Sequence, residues 1–217
     1  MNKDLKKRYI MTVVYAVMFV LWTVLVKFVD VQPVGPEGSA VGFATINTAI
    51  QSGLPFNFFW YELTQIFGYA ALLIAAAFAV TGCIQFITRK SIKKVDRNIL
   101  TLGCLYILVI LLYVFFEKVA VNYRPIIVDL KEGLEASYPS THTFLILVIV
   151  GSALQEIGNY LKNPKLLMAL KILGFIVMIL TAVGRLLSGV HWFTDIIGGI
   201  LLSTVLLSLP RAKKQTE

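Results

Sequence analysis

The chain contains two histidines, and each lies among residues able to do chemistry. His142 ends the tetrapeptide Pro-Ser-Thr-His at 139–142, where an apolar stretch begins. His191 lies six residues after Arg185 and four before Asp195, at the start of another apolar stretch. Because histidine changes charge near neutral pH, the two sites together suggest proton and group transfer at a membrane surface. Taken singly, each histidine is explained more simply as an interfacial or buried residue with satisfied hydrogen bonds.

The residues around the histidines suit a phosphate group. Arg124 and Arg185 carry guanidinium groups, which bind phosphate oxygens through paired, charge-assisted hydrogen bonds. Ser140 follows a proline and is a candidate N-cap for the helix that contains His142. The free N–H groups in the first turn of that helix would favour an anion.

His191 and Asp195 have the i, i+4 spacing that places two residues on one helix face. A carboxylate behind an imidazole fixes its tautomer and stabilises its cationic form, as in catalytic triads. Each residue also has a purely structural explanation. Asp195 could offset the dipole of a helix N-terminus, and Arg185 could extend its charge to the membrane interface.

The composition predicts an integral membrane protein. Hydrophobic residues make up 58% of the chain and charged residues 15%, well below the roughly 25% of soluble domains. A membrane-spanning helix needs about 20 apolar residues. Six stretches qualify: 9–29, 62–88, 98–121, 141–158, 165–186 and 192–209. We therefore predict an all-α protein, with residues 1–217 forming one domain of six transmembrane helices.

The distribution of charge predicts the orientation in the membrane. The termini and two of the loops hold fifteen of the 20 Lys and Arg but four of the 12 Asp and Glu, a net of +11. The other loops together carry −3. By the positive-inside rule both termini are cytoplasmic, and the site residues face outward in a cell membrane. Basic residues that flank helices fit anionic lipid headgroups better than nucleic acid.

The two cysteines, Cys83 and Cys104, fall within apolar stretches. We interpret them as small core residues without a disulfide. The sequence contains no thiol-rich metal motif.

Three segments together resemble the signature of the type 2 phosphatidic acid phosphatase (PAP2) superfamily, which comprises lipid phosphate phosphatases. That signature is Lys, six residues, Arg-Pro; then Pro-Ser-Gly-His; then Ser-Arg, five residues, His, three residues, Asp. This chain has Arg-Pro at 124–125, Pro-Ser-Thr-His at 139–142, and Gly-Arg at 184–185 followed by His191 and Asp195. The resemblance also covers the six-helix layout.

The chain departs from the signature at three positions. Thr141 replaces a glycine, and Gly184 replaces a serine. Glu117 stands where the first motif has its lysine, and Lys118 follows one residue late, about 100° further around a helix. Lys118 can still reach a phosphate on its flexible side chain, or Lys131 in the loop can take its place.

The resemblance implies a role for each residue. His191 is the nucleophile that forms a phosphohistidine, Asp195 supports it, and His142 is the general acid and then the general base. The phosphoryl group is bound by Arg124, Ser140, Thr141, Arg185 and Lys118. No metal or other cofactor is implied.

The implied substrate is a phosphorylated lipid in the bilayer, and the candidates are undecaprenyl diphosphate, phosphatidylglycerophosphate and phosphatidic acid. The sequence does not choose among them, nor does it indicate an oligomeric state. The alternative from another class is a non-catalytic protein that binds or transports lipid phosphates and keeps the anion site.

Overall fold

The computed structural model describes residues 3–209, apart from the side chain of Asp4, and this part of the chain is almost entirely helical without strands. The basic residues near the C-terminus, Arg211, Lys213 and Lys214, and the acidic Glu217 lie outside the described residues. The helices are α1 (Lys3–Phe28), α2 (Ala44–Gln51), α3 (Phe58–Arg89), α4 (Arg97–Lys118), α5 (Thr141–Glu156), α6 (Pro164–Leu187) and α7 (Phe193–Ser208).

The prediction of six long apolar helices is confirmed, with one qualification about length. Five of them, α1 and α3 to α6, are long and apolar enough to cross a membrane. The sixth, α7, has 16 residues and is therefore about 24 Å long, shorter than the roughly 30 Å hydrocarbon core. Half of its residues are buried and the others are partly buried, which reduces its contact with lipid.

Three helix ends differ from the predicted boundaries, which were set by hydropathy alone. Helix α3 begins at Phe58, four residues early, since the Asn57 side chain accepts a hydrogen bond from the Trp60 N–H. Helix α4 ends at Lys118, three residues early. Helix α1 begins at Lys3 because charged residues extend it past the apolar stretch.

Helices α5 and α7 form the centre of the bundle. More than half of the apolar stretch of α5 is buried, against less than a third of the other four spans. Its residues Phe144 and Val148 pack with Leu202 and Leu206 of α7 and with Tyr138. A second cluster joins α5 to Ala71 of α3.

Close packing of α7 against the segment before α5 depends on two glycines. A Cβ atom at Gly198 would lie 2.4 Å from the Tyr138 ring, and one at Gly199 would lie 3.0 Å from the Ser140 carbonyl oxygen. Side chains at either position would push α7 away from the start of α5.

Hydrogen bonds between distant residues show how the helix ends are arranged. Thr12 of α1 bonds the Ser208 carbonyl at the end of α7, and Asn98 of α4 bonds Glu156 at the end of α5. Near the other end of the bundle, Trp22 bonds the Thr194 carbonyl. The predicted site residues therefore share one end of the bundle, opposite the turn between α3 and α4.

The interpretation of the cysteines is half correct. Cys83 and Cys104 are unpaired, as expected, but both lie on exposed faces of α3 and α4 instead of in the core. These faces are apolar, and in a membrane they would contact lipid.

Candidate active site

The loop between α4 and α5 is fixed by short backbone pairing. The Arg124 N–H donates to the Glu135 carbonyl at 3.0 Å, and the Ser137 N–H donates to the Asn122 carbonyl at 2.9 Å. Tyr123 and Ala136 form the bridge between these two bonds. The pairing brings Arg124 and Ser137 to the same end of the bundle.

His191 lies in the tight turn between α6 and α7, where it is 1% exposed. The turn needs Gly189, whose φ is +73° and whose Cβ would lie 2.9 Å from the Leu54 carbonyl oxygen. The Gln51 side chain donates to the Gly189 carbonyl at 3.0 Å. The indole N–H of Trp192 donates to the Tyr123 carbonyl at 2.7 Å, which ties this turn to the α4–α5 loop.

The expectation that His191 and Asp195 share a helix face is wrong, because α7 begins only at Phe193. The two residues still lie close together, with Nδ1 of His191 3.8 Å from Oδ2 of Asp195. That distance is too long for a hydrogen bond. The hydroxyl of Ser137 lies between them: its Oγ is 3.1 Å from Nδ1 and donates a short hydrogen bond to Oδ2.

Asp195 also has the structural role considered from the sequence. Its Oδ2 accepts the Trp192 backbone N–H at 2.8 Å, at the start of α7. The carboxylate therefore caps the helix and belongs to the His191 cluster at the same time.

Arg185 is completely buried and does not extend to the interface. Its Nη2 is 3.3 Å from Nε2 of His191, and its Nη1 donates to Thr64 at 3.3 Å. The guanidinium carbon lies 5.3 Å from the centre of the Tyr61 ring. Within the described part of the chain, no carboxylate forms an ion pair with Arg185.

Arg124 is partly buried and pairs with Glu135, its Nη2 being 2.9 Å from Oε2. The Nε atoms of Arg124 and Arg185 are both buried without a hydrogen-bond partner among the described residues. Two guanidinium groups with unused donors suit an oxyanion.

His142 occupies the second residue of α5 and is hydrogen-bonded through Nε2 to Oε1 of Gln65 on α3. Its Nδ1 is buried without a partner among the described residues. His142, Gln65 and Thr141 line a cavity of about 130 Å³, whose other residues include Tyr69, Leu72, Tyr113 and Leu145. The cavity places apolar side chains next to the imidazole.

Ser140 stands at the N-cap position of α5, but its hydroxyl does not cap the helix. Its Oγ accepts from Thr143 at 2.9 Å, and its N–H donates to the Asp195 carbonyl at 3.0 Å. The first-turn N–H groups of α5 therefore do not donate to the Ser140 side chain. Because these groups also have no partner within the helix, they can donate to another acceptor.

The two candidate lysines lie at the surface. Lys118 is exposed at the last residue of α4, and Lys131 is exposed in the α4–α5 loop. Neither forms an ion pair within residues 3–209. Their part in phosphate binding therefore stays a prediction.

Burial lowers the pKa of His191 well below its usual 6.5, and the charges of Arg185, Arg124 and His142 lower it further. The imidazole is therefore neutral at physiological pH. Arg185 approaches Nε2 as a donor, so this nitrogen carries the lone pair and Nδ1 carries the proton.

Four residues near the histidines were not found from the sequence: Ser137, and Tyr61, Thr64 and Gln65 on α3. Tyr61 lies in a run of aromatic residues of the kind that membrane proteins place at the interface, and a lone serine or glutamine in an apolar chain has no informative spacing. The packing of α3 against α5 and α6 brings the three α3 residues to the site, whereas the pairing within the α4–α5 loop brings Ser137 there.

The cluster combines a neutral, buried nucleophilic nitrogen with two guanidinium groups and a second histidine, which suits transfer of a phosphoryl group. Among the described residues, no three His, Cys, Asp or Glu side chains are grouped as metal ligands.

Comparison with known proteins agrees with the fold and shows the family. The fold is similar to the crystal structure of a transmembrane PAP2-type phosphatidylglycerolphosphate phosphatase from Bacillus subtilis, with a TM-score of 0.58 and 18% sequence identity over 91% of this chain and 92% of that one. No curated protein matches the sequence. The PAP2 superfamily model matches residues 100–212, which include both histidines, Arg124, Arg185 and Asp195. The chain belongs to the PAP2 superfamily.

Proposed function

We propose that this protein is a membrane lipid phosphatase that hydrolyses the phosphate ester or diphosphate of a lipid through a phosphohistidine. One observation carries the proposal. The buried guanidinium of Arg185 has no carboxylate partner in the described part of the chain and lies 3.3 Å from Nε2 of His191. A phosphate would supply the missing negative charge beside the nucleophile.

In the first step, Nε2 of His191 attacks phosphorus, and an N–P bond forms as the P–O bond to the lipid breaks. The leaving oxygen takes a proton from His142. In the second step, water gives a proton to His142 as its oxygen attacks phosphorus. The N–P bond breaks, inorganic phosphate leaves, and His191 is neutral again.

Arg124 and Arg185 stabilise the charge on the transferring phosphoryl group, with Ser140, Thr141 and the first-turn N–H groups of α5 as further contacts. Because these groups supply the positive charge, we expect no metal ion or other cofactor to take part. Lys118 reaches the phosphate from the surface end of α4 in this proposal.

The substrate class follows from the surroundings of His142. The cavity beside it is bordered mainly by apolar and aromatic side chains, which suit a lipid chain attached to the leaving oxygen. Undecaprenyl diphosphate, phosphatidylglycerophosphate and phosphatidic acid meet this requirement. The structural relative from Bacillus subtilis is named for the second of them.

The test is phosphate release from these three lipids in detergent, with wild type beside His191→Ala. We expect turnover by wild type that persists in excess EDTA and is inhibited by vanadate, and none by the variant. Loss of activity in EDTA with rescue by Mg²⁺ would contradict the metal-independent mechanism. Binding of the lipids without phosphate release would instead support the non-catalytic alternative.

A further inference from the structure

The link between His191 and Asp195 passes through a third side chain. Nδ1 of His191 and Oδ2 of Asp195 are 3.8 Å apart, whereas Oγ of Ser137 is 3.1 Å from Nδ1 and also hydrogen-bonded to Oδ2. All three residues are at most 2% exposed. The carboxylate therefore reaches the imidazole through a hydroxyl.

The direction of each hydrogen bond follows from the available protons. Asp195 accepts from the Trp192 N–H and from Ser137, with the Asn122 amide 3.5 Å away, which suits an ionised carboxylate. The Ser137 proton therefore points at Asp195, and its oxygen is free to accept from Nδ1–H of His191. This arrangement holds the lone pair on Nε2, beside Arg185.

The position of Ser137 is fixed independently of its hydroxyl. Its backbone N–H donates to the Asn122 carbonyl at 2.9 Å, within the pairing that closes the α4–α5 loop. The hydroxyl consequently needs no backbone movement to bridge the pair.

We propose that Ser137 is a positioning residue: its hydroxyl links the Asp195 carboxylate to Nδ1 of His191 and so fixes the orientation and tautomer of the imidazole. We call this hydrogen-bonded chain the relay. Its expected effect on turnover rests on the proposed function. When Nε2 bonds phosphorus, the imidazole gains positive charge and Nδ1–H becomes a stronger donor. The chain from Nδ1–H to Ser137 to Asp195 then stabilises that charge, and no proton needs to leave Nδ1.

Removing the hydroxyl should mainly slow the chemical step. We expect Ser137→Ala to lower kcat roughly 10- to 100-fold, the range for a hydrogen bond to a charged group, with KM nearly unchanged. Ser137→Thr keeps the hydroxyl and should recover most of the rate. The matched control is Ser203→Ala: Ser203 is equally buried but bonds only backbone carbonyls of Gly199 and Phe144. It should keep the wild-type kcat.

A double-variant cycle separates the relay from a general loss of stability. If Ser137 acts through Asp195, Ser137→Ala and Asp195→Asn together should cost little more than Asp195→Asn alone. Thermal unfolding in detergent shows whether each variant is folded. If Ser137→Thr is inactive because the larger side chain does not fit, the double-variant cycle still tests the relay. Full additivity, or a kcat of Ser137→Ala within twofold of wild type, would overturn the relay.

A measurement without turnover keeps this inference distinct from the proposed function. The chain has two histidines, so in a His142→Ala background purified without a histidine tag, the ¹⁵N NMR signals of labelled imidazole report His191 alone. We expect one tautomer, protonated at Nδ1, and a reduced share of it after Ser137→Ala is added, because Arg185 alone then favours that tautomer. The same spectrum with and without Ser137 would refute the relay even if no lipid is hydrolysed. A clear change, with wild type inactive on every lipid, would retain the relay and reject the phosphatase.

Discussion

At the scale of single residues, the site is defined by positive charge that the described protein does not neutralise. Arg185 is buried with a hydroxyl, an aromatic ring and an imidazole around it. Placing a guanidinium in such surroundings costs free energy, which a bound anion recovers. Burial first, and the neighbouring positive charges after it, lower the pKa of His191 and keep its imidazole neutral. In the proposed mechanism, one set of residues would therefore both attract the phosphate and keep the nucleophile neutral.

The two histidines should respond differently to the leaving group. His191→Ala removes the nucleophile and should abolish turnover of every substrate. His142→Ala removes the proton donor, which contributes typically 10²–10⁴-fold, and should recover part of its rate with nitrophenyl phosphate because that leaving group needs little protonation. Rates on a lipid phosphate and on nitrophenyl phosphate test this prediction. Equal recovery in both variants would mean that the roles are assigned wrongly.

The pH dependence should report His191. Protonation of the imidazole removes its lone pair, so kcat/KM should fall as pH drops through the His191 pKa, which lies below 6.5. Arg185, Arg124 and His142 lower this pKa, and Asp195 lies across Ser137. Arg124→Gln removes one repelling charge and should move the acid limb to higher pH. If the acid limb came from ionisation of the substrate instead of His191, its position would be the same in Arg124→Gln as in wild type.

At the scale of helices, α3 supports the site although it lies outside the matched family segment. Thr64 and Tyr61 contact Arg185, and Gln65 bonds His142. An amide oxygen only accepts, so the Gln65 bond fixes the proton of His142 on Nε2. These residues belong to neighbouring turns of one helix, which makes α3 a rigid support for both ends of the site.

Replacing Gln65 by leucine should therefore disturb the proton transfer. We expect a loss of about tenfold in kcat on lipid phosphates, for one hydrogen bond of roughly 1.4 kcal/mol, and a smaller loss on nitrophenyl phosphate. Gln85→Leu is the control on the same helix, because Gln85 bonds Asp96 at the opposite end of the bundle. It should lower the unfolding temperature and leave kcat unchanged. Equal kinetic losses would assign Gln65 a purely structural role.

The position of Lys118 at a helix end predicts whether it or Lys131 takes the part of the lysine in the first motif. Lys118 ends the rigid α4, whereas Lys131 lies in a loop. If Lys118 contacts phosphate, Lys118→Ala should lower kcat/KM about tenfold or more, and Lys131→Ala should be nearly silent. Kinetics on one lipid phosphate compare the two. The reverse pattern would assign the contact to the loop, and two silent variants would show that the arginines bind phosphate without a lysine.

At the scale of the whole molecule, the charge distribution predicts orientation. The site residues lie at the end of the bundle opposite the basic α3–α4 turn, which holds Arg89, Lys90, Lys93 and Lys94. By the positive-inside rule we expect that turn to be cytoplasmic and the site to face outward.

Cysteine labelling in intact cells tests this orientation. Cys83 and Cys104 are exposed and should first be replaced by alanine. A cysteine at the exposed position of Glu132 in the α4–α5 loop should react with an impermeant reagent, whereas one at Ser91 should react only after lysis. The opposite result would reverse the topology and place the site in the cytoplasm.

The sequence alone was sufficient for the helical membrane fold and the family, because apolar length and fixed spacings such as Arg185 to His191 are local properties of the chain. It was not sufficient for the contact between His191 and Asp195, because the spacing i, i+4 implied one helix and α7 begins after His191.

Only the tertiary structure decided which side chains complete the site. Ser137 reaches His191 because the α4–α5 loop pairs with itself, and Gln65 reaches His142 because α3 packs on α5. The burial of Arg185 likewise depends on α3, since a snorkelling arginine and a buried one have the same sequence surroundings. These contacts join residues 54 to 121 positions apart, a range over which spacing in one sequence carries no geometric information.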